Sequence, residues 1–101
     1  MRTIMAGALA LALIGTTSAA AGKSGEEVYN STCSTCHETG VAAAPRYGNQ
    51  ADWAARVKLG KDALRASAIK GKGAMPPKGG NDKLSASEVR NVVDYMMKAV
   101  R

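Results

Sequence analysis

The sequence predicts one all-α domain of three to four short helices. Two segments begin with a capping box, in which a serine and a glutamate three residues later bond each other's backbone N–H groups: Ser24 with Glu27 and Ser85 with Glu88. Apolar residues after both caps recur at helical spacing, and no stretch shows strands alternating with helices. Of the 101 residues, 4% are aromatic and none is Phe, so the chain can supply only one small core. The composition does not indicate disorder, because 46% of the residues are apolar and only 22% are charged.

The N-terminus has the pattern of a secretory signal peptide. Arg2 precedes an uncharged run over residues 4–14, and small residues at 19–21 form an Ala-x-Ala cleavage site. The alternative is an uncleaved membrane anchor, but the apolar run is shorter than the roughly 20 residues that a membrane span needs. We therefore expect residues 1–21 to be cleaved on export to the periplasm and residues 22–101 to form the mature domain.

A haem-attachment motif follows the first predicted helix. Cys33 and Cys36 are separated by two residues and His37 follows directly, which is the C-x-x-C-H pattern of c-type haem attachment. Cysteines at this spacing project to the same side of a helical turn, so each can form a thioether with one vinyl group. Because His37 is the only histidine in the chain, a second histidine is excluded as the opposite iron ligand. The motif predicts one covalently attached haem c.

Three other interpretations of the two cysteines stay open at this point. A zinc site needs four ligands, and Cys33, Cys36 and His37 have no convincing fourth partner in the sequence. A thioredoxin-like redox pair would follow a strand in an alternating pattern that this chain lacks. A plain disulfide between Cys33 and Cys36 would not explain why a histidine follows them directly.

The elements can be justified in chain order from caps and from breakers of regular structure. The first helix begins at the Ser24 cap and runs to Cys33, which places the haem at its end. Its partner is the last helix, since Gly25 allows close approach. The remaining elements are a loop over 39–49, a helix from Asn49 or Asp52 to Gly60, a helix from Lys61 or Asp62 to Lys70, a loop over 71–83 and a helix from the Ser85 cap to the chain end.

The loop over residues 71–83 carries the best second iron ligand. Long loops without regular structure are uncommon in compact domains unless they bind something. Met75 is the single large apolar residue ahead of Pro76 and Pro77, which restrict the backbone beside it, and a thioether is a known axial haem donor. Met96 and Met97 instead repeat with helical period on the last helix and are expected in the core. We predict Met75 as the sixth ligand.

Taken together, these residues resemble the class I cytochromes c, and among them the short bacterial cytochrome c-five-like group. The resemblance implies a small class I cytochrome c fold, three to four helices wrapped around one covalent haem, over residues 22–101. Relatives with an extra cysteine pair near residues 81–84 differ from this chain, which has none there. The matching residues are Gly25, Tyr29, Cys33, Cys36, His37, Gly40, Val41, Ala44, Pro45, Trp53, the segment 71–80 that includes Met75, and Tyr95.

The resemblance also implies roles for single residues. Cys33 and Cys36 would be the thioether anchors, with His37 and Met75 as the proximal and distal iron ligands. Two further cofactor-binding residues follow: the Pro45 carbonyl would accept a hydrogen bond from the second nitrogen of the histidine, and Trp53 would lie near the haem propionates. Core packing alone explains Trp53 equally well. Gly25 and Tyr95 would meet where the terminal helices cross.

A closed coordination sphere predicts a soluble one-electron carrier with a low-spin His/Met haem and no enzymatic activity. With both axial positions taken by side chains, the iron has no site for oxygen, peroxide or another small-molecule substrate. The sequence shows no catalytic carboxylate pair, nucleophile or phosphate loop. The alternatives are a haem enzyme or gas-sensing domain with an open or displaceable sixth position, and a haem-free module with a disulfide.

Basic residues predict the kind of partner. Between residues 46 and 83 the sequence has nine Lys and Arg against three Asp. Such a surface steers a protein towards acidic faces of membrane-bound or soluble redox proteins, with a cytochrome reductase as donor and a terminal oxidase or reductase as acceptor. The alternative is a merely soluble surface. We expect a monomer that binds no nucleic acid, and an apolar cavity between His37 and Met75 in the polypeptide.

Overall fold

The computed structural model describes residues 22–101, so the expected signal peptide over residues 1–21 lies outside the described range. Helices and turns make up this part of the chain, which contains an isolated β-bridge but no strand. None of its helices is long and apolar enough to cross a membrane. The elements are α1 (Gly25–Val28), a π-helical turn (Tyr29–Cys33), α2 (Ser34–His37), a 3-10 turn (Val41–Ala43), α3 (Gln50–Val57), α4 (Lys61–Lys70), a second 3-10 turn (Pro77–Gly80) and α5 (Ala86–Lys98).

Both predicted capping boxes are present, but several bounds differ from the prediction. The first helical run continues past Cys33 to His37, because the π-helical turn joins α1 to α2 without a break. The haem motif is therefore part of the helix and does not follow it. Helix α3 ends at Val57 and α5 ends at Lys98, each a few residues before the expected position. The loop over 71–83 contains a short 3-10 turn, for which the many glycines had predicted no regular structure.

The terminal helices cross at Gly25, as predicted. A Cβ atom at this position would collide with the backbone oxygen of Asn91 and lie 2.6 Å from Cβ of Tyr95. The rings of Tyr29 and Tyr95 pack beside the crossing with centroids 5.8 Å apart. Only glycine permits this approach. The packing of α1 against α5 thereby supports the helical run that contains residues 33–37.

Helix α5 supplies about half of the core. Met96 and Met97 are both buried, as predicted from their helical spacing. Arg65 on α4 donates to both carboxylate oxygens of Asp94 on α5, at 2.8 Å and 2.7 Å, which ties these helices together. The buried hydrophobic residues are Val28, Tyr29, Trp53, Ala68, Leu84, Val89, Val92, Val93, Met96, Met97 and Val100.

Candidate haem-binding site

A cavity of about 390 Å³ with a mainly apolar wall lies between the helical motif, the loop after it, α3, α4 and α5. Its existence between His37 and Met75 matches the expectation from the sequence. Arg56 and Lys72 carry the positive charges among its lining residues, and the described residues place no carboxylate on the wall. All six residues singled out from the sequence line it: Cys33, Cys36, His37, Pro45, Trp53 and Met75.

His37 is the last residue of α2, and its ring is held in one orientation. The residue is only 9% exposed, and Nδ1 lies 2.7 Å from the carbonyl oxygen of Pro45. A carbonyl can only accept a hydrogen bond, so Nδ1 carries the proton and Nε2 keeps the lone pair that a metal binds. The ring also stacks on Trp53, with centroids 5.9 Å apart and planes inclined by 21°. The imidazole is therefore held in one orientation with Nε2 free to bind a metal.

Cys33 and Cys36 are free, half-buried and both on the cavity wall. Burial raises the pKa of the Cys33 thiol to about 11, so this group is not a thiolate at neutral pH. The thiolate is the attacking species in disulfide exchange, and the site is thus unlike a thioredoxin-type redox pair. Within residues 22–101 no group of three or more His, Cys, Asp and Glu side chains could hold a metal ion, which leaves the zinc interpretation without support.

The loop of Met75 is fixed by its own backbone. Lys72 and Met75 exchange two hydrogen bonds, each 2.9 Å long, across a two-residue turn with Gly73 at φ +58°. At Gly71 (φ +88°), a Cβ atom would lie 2.9 Å from the nitrogen of Pro77 and 3.0 Å from the oxygen of Met75. The prolines alone had suggested a restricted methionine; this tight hairpin was not predicted, although the Gly-x-Gly pattern before Met75 was its sequence signal.

Met96 and Met97 line the same cavity as Met75. Sequence reasoning placed them correctly in the core but missed that this part of the core faces the cavity. No signal in the sequence could have separated the two situations, because an apolar residue on a helix serves equally to pack against protein or against a cofactor. The fold therefore presents three thioethers to the site.

Trp53 packs at the base of the site and has a hydrogen-bond partner of its own. Its Nε1–H donates to the carbonyl oxygen of Arg46 at 2.9 Å, while its ring lies against that of His37. The expected hydrogen-bonding need of a buried indole is thus met by backbone. Sequence reasoning did not foresee that this tryptophan would orient the histidine.

Two residues of the cavity wall adopt an unusual backbone conformation. Ala42 and Ala43 have φ of 55° and 65°, in the left-handed region that costs an L-residue about 1–2 kcal/mol. The strain lies in the segment between His37 and Pro45 that closes one side of the cavity. The sequence gives no sign of it, since alanine usually avoids this region.

Comparison with known proteins decides the family. Residues 20–96 match the family model described as cytochrome c oxidase, cbb3-type, subunit III. Cytochrome c-555 of Chlorobaculum tepidum is 47% identical over 83 residues, which cover 78% of this chain and 74% of the relative. The chain belongs to the small class I c-type cytochromes. Cytochrome c5 of Azotobacter vinelandii is a further relative, 38% identical over 76 residues that cover 73% of this cytochrome and 92% of the other.

The structural comparison agrees with the fold predicted from the sequence. The cytochrome is similar to a chain in the crystal structure of an electron transfer complex of nitrite reductase with cytochrome c, with a TM-score of 0.72 and 48% identity. The match covers 76% of this cytochrome and 94% of that chain. The all-α, class I fold is thereby confirmed, and with it a monohaem cytochrome that acts in electron transfer.

The residues around the cavity fit the single covalent haem c of this family. Two free thiols lie on its wall at the spacing of the attachment motif, beside an imidazole whose lone-pair nitrogen is Nε2. The wall is mainly apolar, as a porphyrin requires, and its two basic side chains suit the acidic groups of a haem.

Proposed function

We propose that this cytochrome is a soluble one-electron carrier in which Cys33 and Cys36 bind the haem and His37 and Met75 are the iron ligands of a low-spin centre. The observation that supports it is the meeting of all four side chains on the wall of one cavity. One-electron exchange between ferric and ferrous iron is the chemistry that the haem supplies when bound. The chain's part is to fix both ligands and to keep water away from them.

With both His37 and Met75 bound to its iron, a haem in this cavity would have no free position for a substrate. His37 is held by Pro45 and Trp53, and Met75 by the hairpin with Lys72. Because neither ligand needs to move, little reorganisation accompanies the change of charge. We therefore propose electron transfer without enzymatic activity, by way of the haem edge.

Location and partners complete the proposal. We infer that residues 1–21 direct export to the periplasm; the intact mass of the purified holoprotein should place its N-terminus at Gly22.

Six basic side chains are exposed on the surface between residues 56 and 83: Arg56, Lys58, Lys61, Lys70, Lys72 and Lys83. We propose that the monomer uses them to dock acidic faces of redox proteins, a reductase as donor and an oxidase or reductase as acceptor. The similar cytochrome c in complex with nitrite reductase supports a partner of this kind.

Absorption spectra of the purified holoprotein test the ligands. The ferrous protein should show the low-spin spectrum of a His/Met haem, unchanged by carbon monoxide. Met75→Ala should open the site, bind carbon monoxide and lower the reduction potential, since a methionine ligand raises it. Met96→Leu and Met97→Leu are matched controls on the same cavity wall and should leave spectrum and potential near those of the parent protein.

The outcomes separate the alternatives. A high-spin ferric spectrum with ready carbon monoxide binding in the parent protein would support the haem enzyme or gas sensor. If Met96→Leu, and not Met75→Ala, changed the spin state, the ligand assignment would be wrong. Docking through charge predicts that the rate of electron transfer to an acidic redox protein falls steeply as salt is raised; a flat dependence would contradict the basic docking surface.

A further inference from the structure

One peptide group, between Pro45 and Arg46, connects a carboxylate to the histidine of the site. Its carbonyl oxygen accepts the hydrogen bond from Nδ1 of His37 at 2.7 Å. Its N–H donates to Oδ2 of Asp52 at 3.1 Å. Since a peptide group is planar and rigid, the position of Asp52 fixes the direction in which the Pro45 carbonyl points.

The first turn of α3 holds the two peptide groups on either side of Arg46, one through Asp52 and the next through Trp53. Asp52 also binds the guanidinium of Arg46, through Oδ2 at 2.7 Å and Oδ1 at 3.2 Å. Trp53 donates to the carbonyl oxygen of Arg46 at 2.9 Å and stacks on the ring of His37. The helix therefore determines both the plane of the imidazole and the position of its hydrogen-bond acceptor.

We propose that Asp52 is a positioning residue for the haem, which orients His37 through the Pro45–Arg46 peptide and strengthens the ring as an iron ligand. The inference rests on the ligation by His37 proposed above. Hydrogen bonds in a chain polarise one another by about 10–30% per bond, so a carboxylate on the peptide N–H makes the peptide carbonyl a stronger acceptor. A stronger acceptor on Nδ1–H raises the basicity of the ring. The more basic ligand favours ferric iron, and Asp52 thus lowers the reduction potential.

A purely structural role for Asp52 makes different predictions. Asp52 is the third residue of α3, where a carboxylate stabilises a helix N-terminus. In a capping box it would bond the N–H of Asn49, but here it bonds Arg46 instead. Helix stabilisation alone would change the free energy of unfolding and leave the potential and the His37 ring unaffected.

The experiment compares holoprotein variants Asp52→Asn and Asp94→Asn. Asp94 is a matched control because it is also half-buried (33% exposed against 26%) and paired with an arginine, Arg65, but lies on α5. Both variants lose one negative charge, which raises the potential by itself. At a fixed applied potential we expect the ferric:ferrous ratio of Asp52→Asn to be about threefold below that of Asp94→Asn, or roughly 28 mV at 59 mV per tenfold change.

Magnetic resonance of the reduced holoprotein supplies the second readout. The Nδ1–H resonance of His37 should move upfield in Asp52→Asn and stay in place in Asp94→Asn. Asp52→Glu keeps the charge and should recover part of both effects. Arg46→Gln removes the ion pair but keeps the peptide N–H and the carboxylate that accepts from it, so the resonance should not move upfield there.

Each outcome bears either on the role of Asp52 or on the proposed ligation by His37. Equal potentials in the two Asn variants, with an unmoved resonance, would overturn the role of Asp52 while leaving the ligation by His37 intact. A parent protein without an iron-bound imidazole would instead refute the proposed function. Should Asp52→Asn fail to assemble, the parent protein is informative by itself: the Arg46 amide should be shifted downfield and protected from exchange, and an amide that exchanges like an exposed loop would overturn the inference.

Discussion

Tyr95 joins the contact between the terminal helices to the loop that positions His37. Its ring centroid lies 5.8 Å from that of Tyr29 and 5.5 Å from that of Tyr47, and the latter two are 4.8 Å apart. The backbone N–H of Tyr47 donates to the carbonyl oxygen of His37 at 2.6 Å. Three of the four aromatic residues in the described part of the chain therefore pack where the terminal helices meet the loop after His37.

The Tyr95 phenol gives the protein a dependence on alkaline pH. The neighbouring phenol of Tyr47, together with burial, raises the pKa of Tyr95 from its ordinary 10 to about 12. The folded state therefore favours the neutral phenol: its contribution to stability is full below pH 10 and is lost as the pH rises through about 12. Denaturant unfolding of the holoprotein between pH 10 and 12 should show a larger loss in the parent than in Tyr95→Phe, which keeps only the contribution of Tyr29, whose pKa is also raised by burial. Equal slopes for the two proteins would contradict the assignment.

Helix α5 depends on a start signal that is local in sequence. The Ser85 hydroxyl accepts from the backbone N–H of Glu88 at 3.0 Å, and the Glu88 carboxylate accepts from the N–H of Ser85 at 2.9 Å. Glu88 also accepts from the N–H of Lys23 at 2.9 Å, so this cap fastens the beginning of the described chain to α5. These bonds hold the pKa of the Glu88 carboxyl below its usual range.

Removal of this cap should destabilise the whole holoprotein. We expect Ser85→Ala to lower the free energy of unfolding by about 1 kcal/mol, because α5 carries much of the core and one N-terminal N–H would lose its acceptor. Ser87→Ala is the control: this serine is exposed in the same first turn of the helix. Guanidinium unfolding should show a loss for Ser85→Ala and little change for Ser87→Ala; a loss of equal size in both would rule out capping as the cause.

The elements show which features a sequence can predict. Both capping boxes were visible because each is a contact between residues three apart. The π-helical turn over Tyr29–Cys33 and the strained Ala42 and Ala43 were not, since they arise from packing around the cavity and no local residue preference produces them. The hairpin at Met75 could be predicted only in part. Its glycines indicated a turn, but the backbone hydrogen bonds between Lys72 and Met75 could not be predicted from them.

At the scale of the molecule, the candidate site was predictable because its chemistry depends on rare residues. A single histidine beside two cysteines, and one methionine in a loop of glycine and proline, could be recognised without knowledge of contacts. The supporting residues were harder to find. Asp52 and Arg46 are ordinary surface types, and only the folded chain brings them to the peptide that binds His37. The net charge of +6 indicates a class of partner, but it does not locate the docking face.

Without its cofactor the polypeptide should be poorly folded. A cavity of about 390 Å³ with a mainly apolar wall exposes that wall to water when no haem fills it, and the whole stability of a typical domain is only about 5–15 kcal/mol. The chain has too few aromatic residues to close it. We therefore expect the double variant Cys33→Ser/Cys36→Ser, purified without haem, to lack cooperative thermal unfolding by circular dichroism. Cys36→Ser retains one thioether and should still unfold cooperatively. A cooperative transition in the haem-free double variant would contradict this expectation. It would show that the polypeptide forms its core alone and that folding does not require the haem.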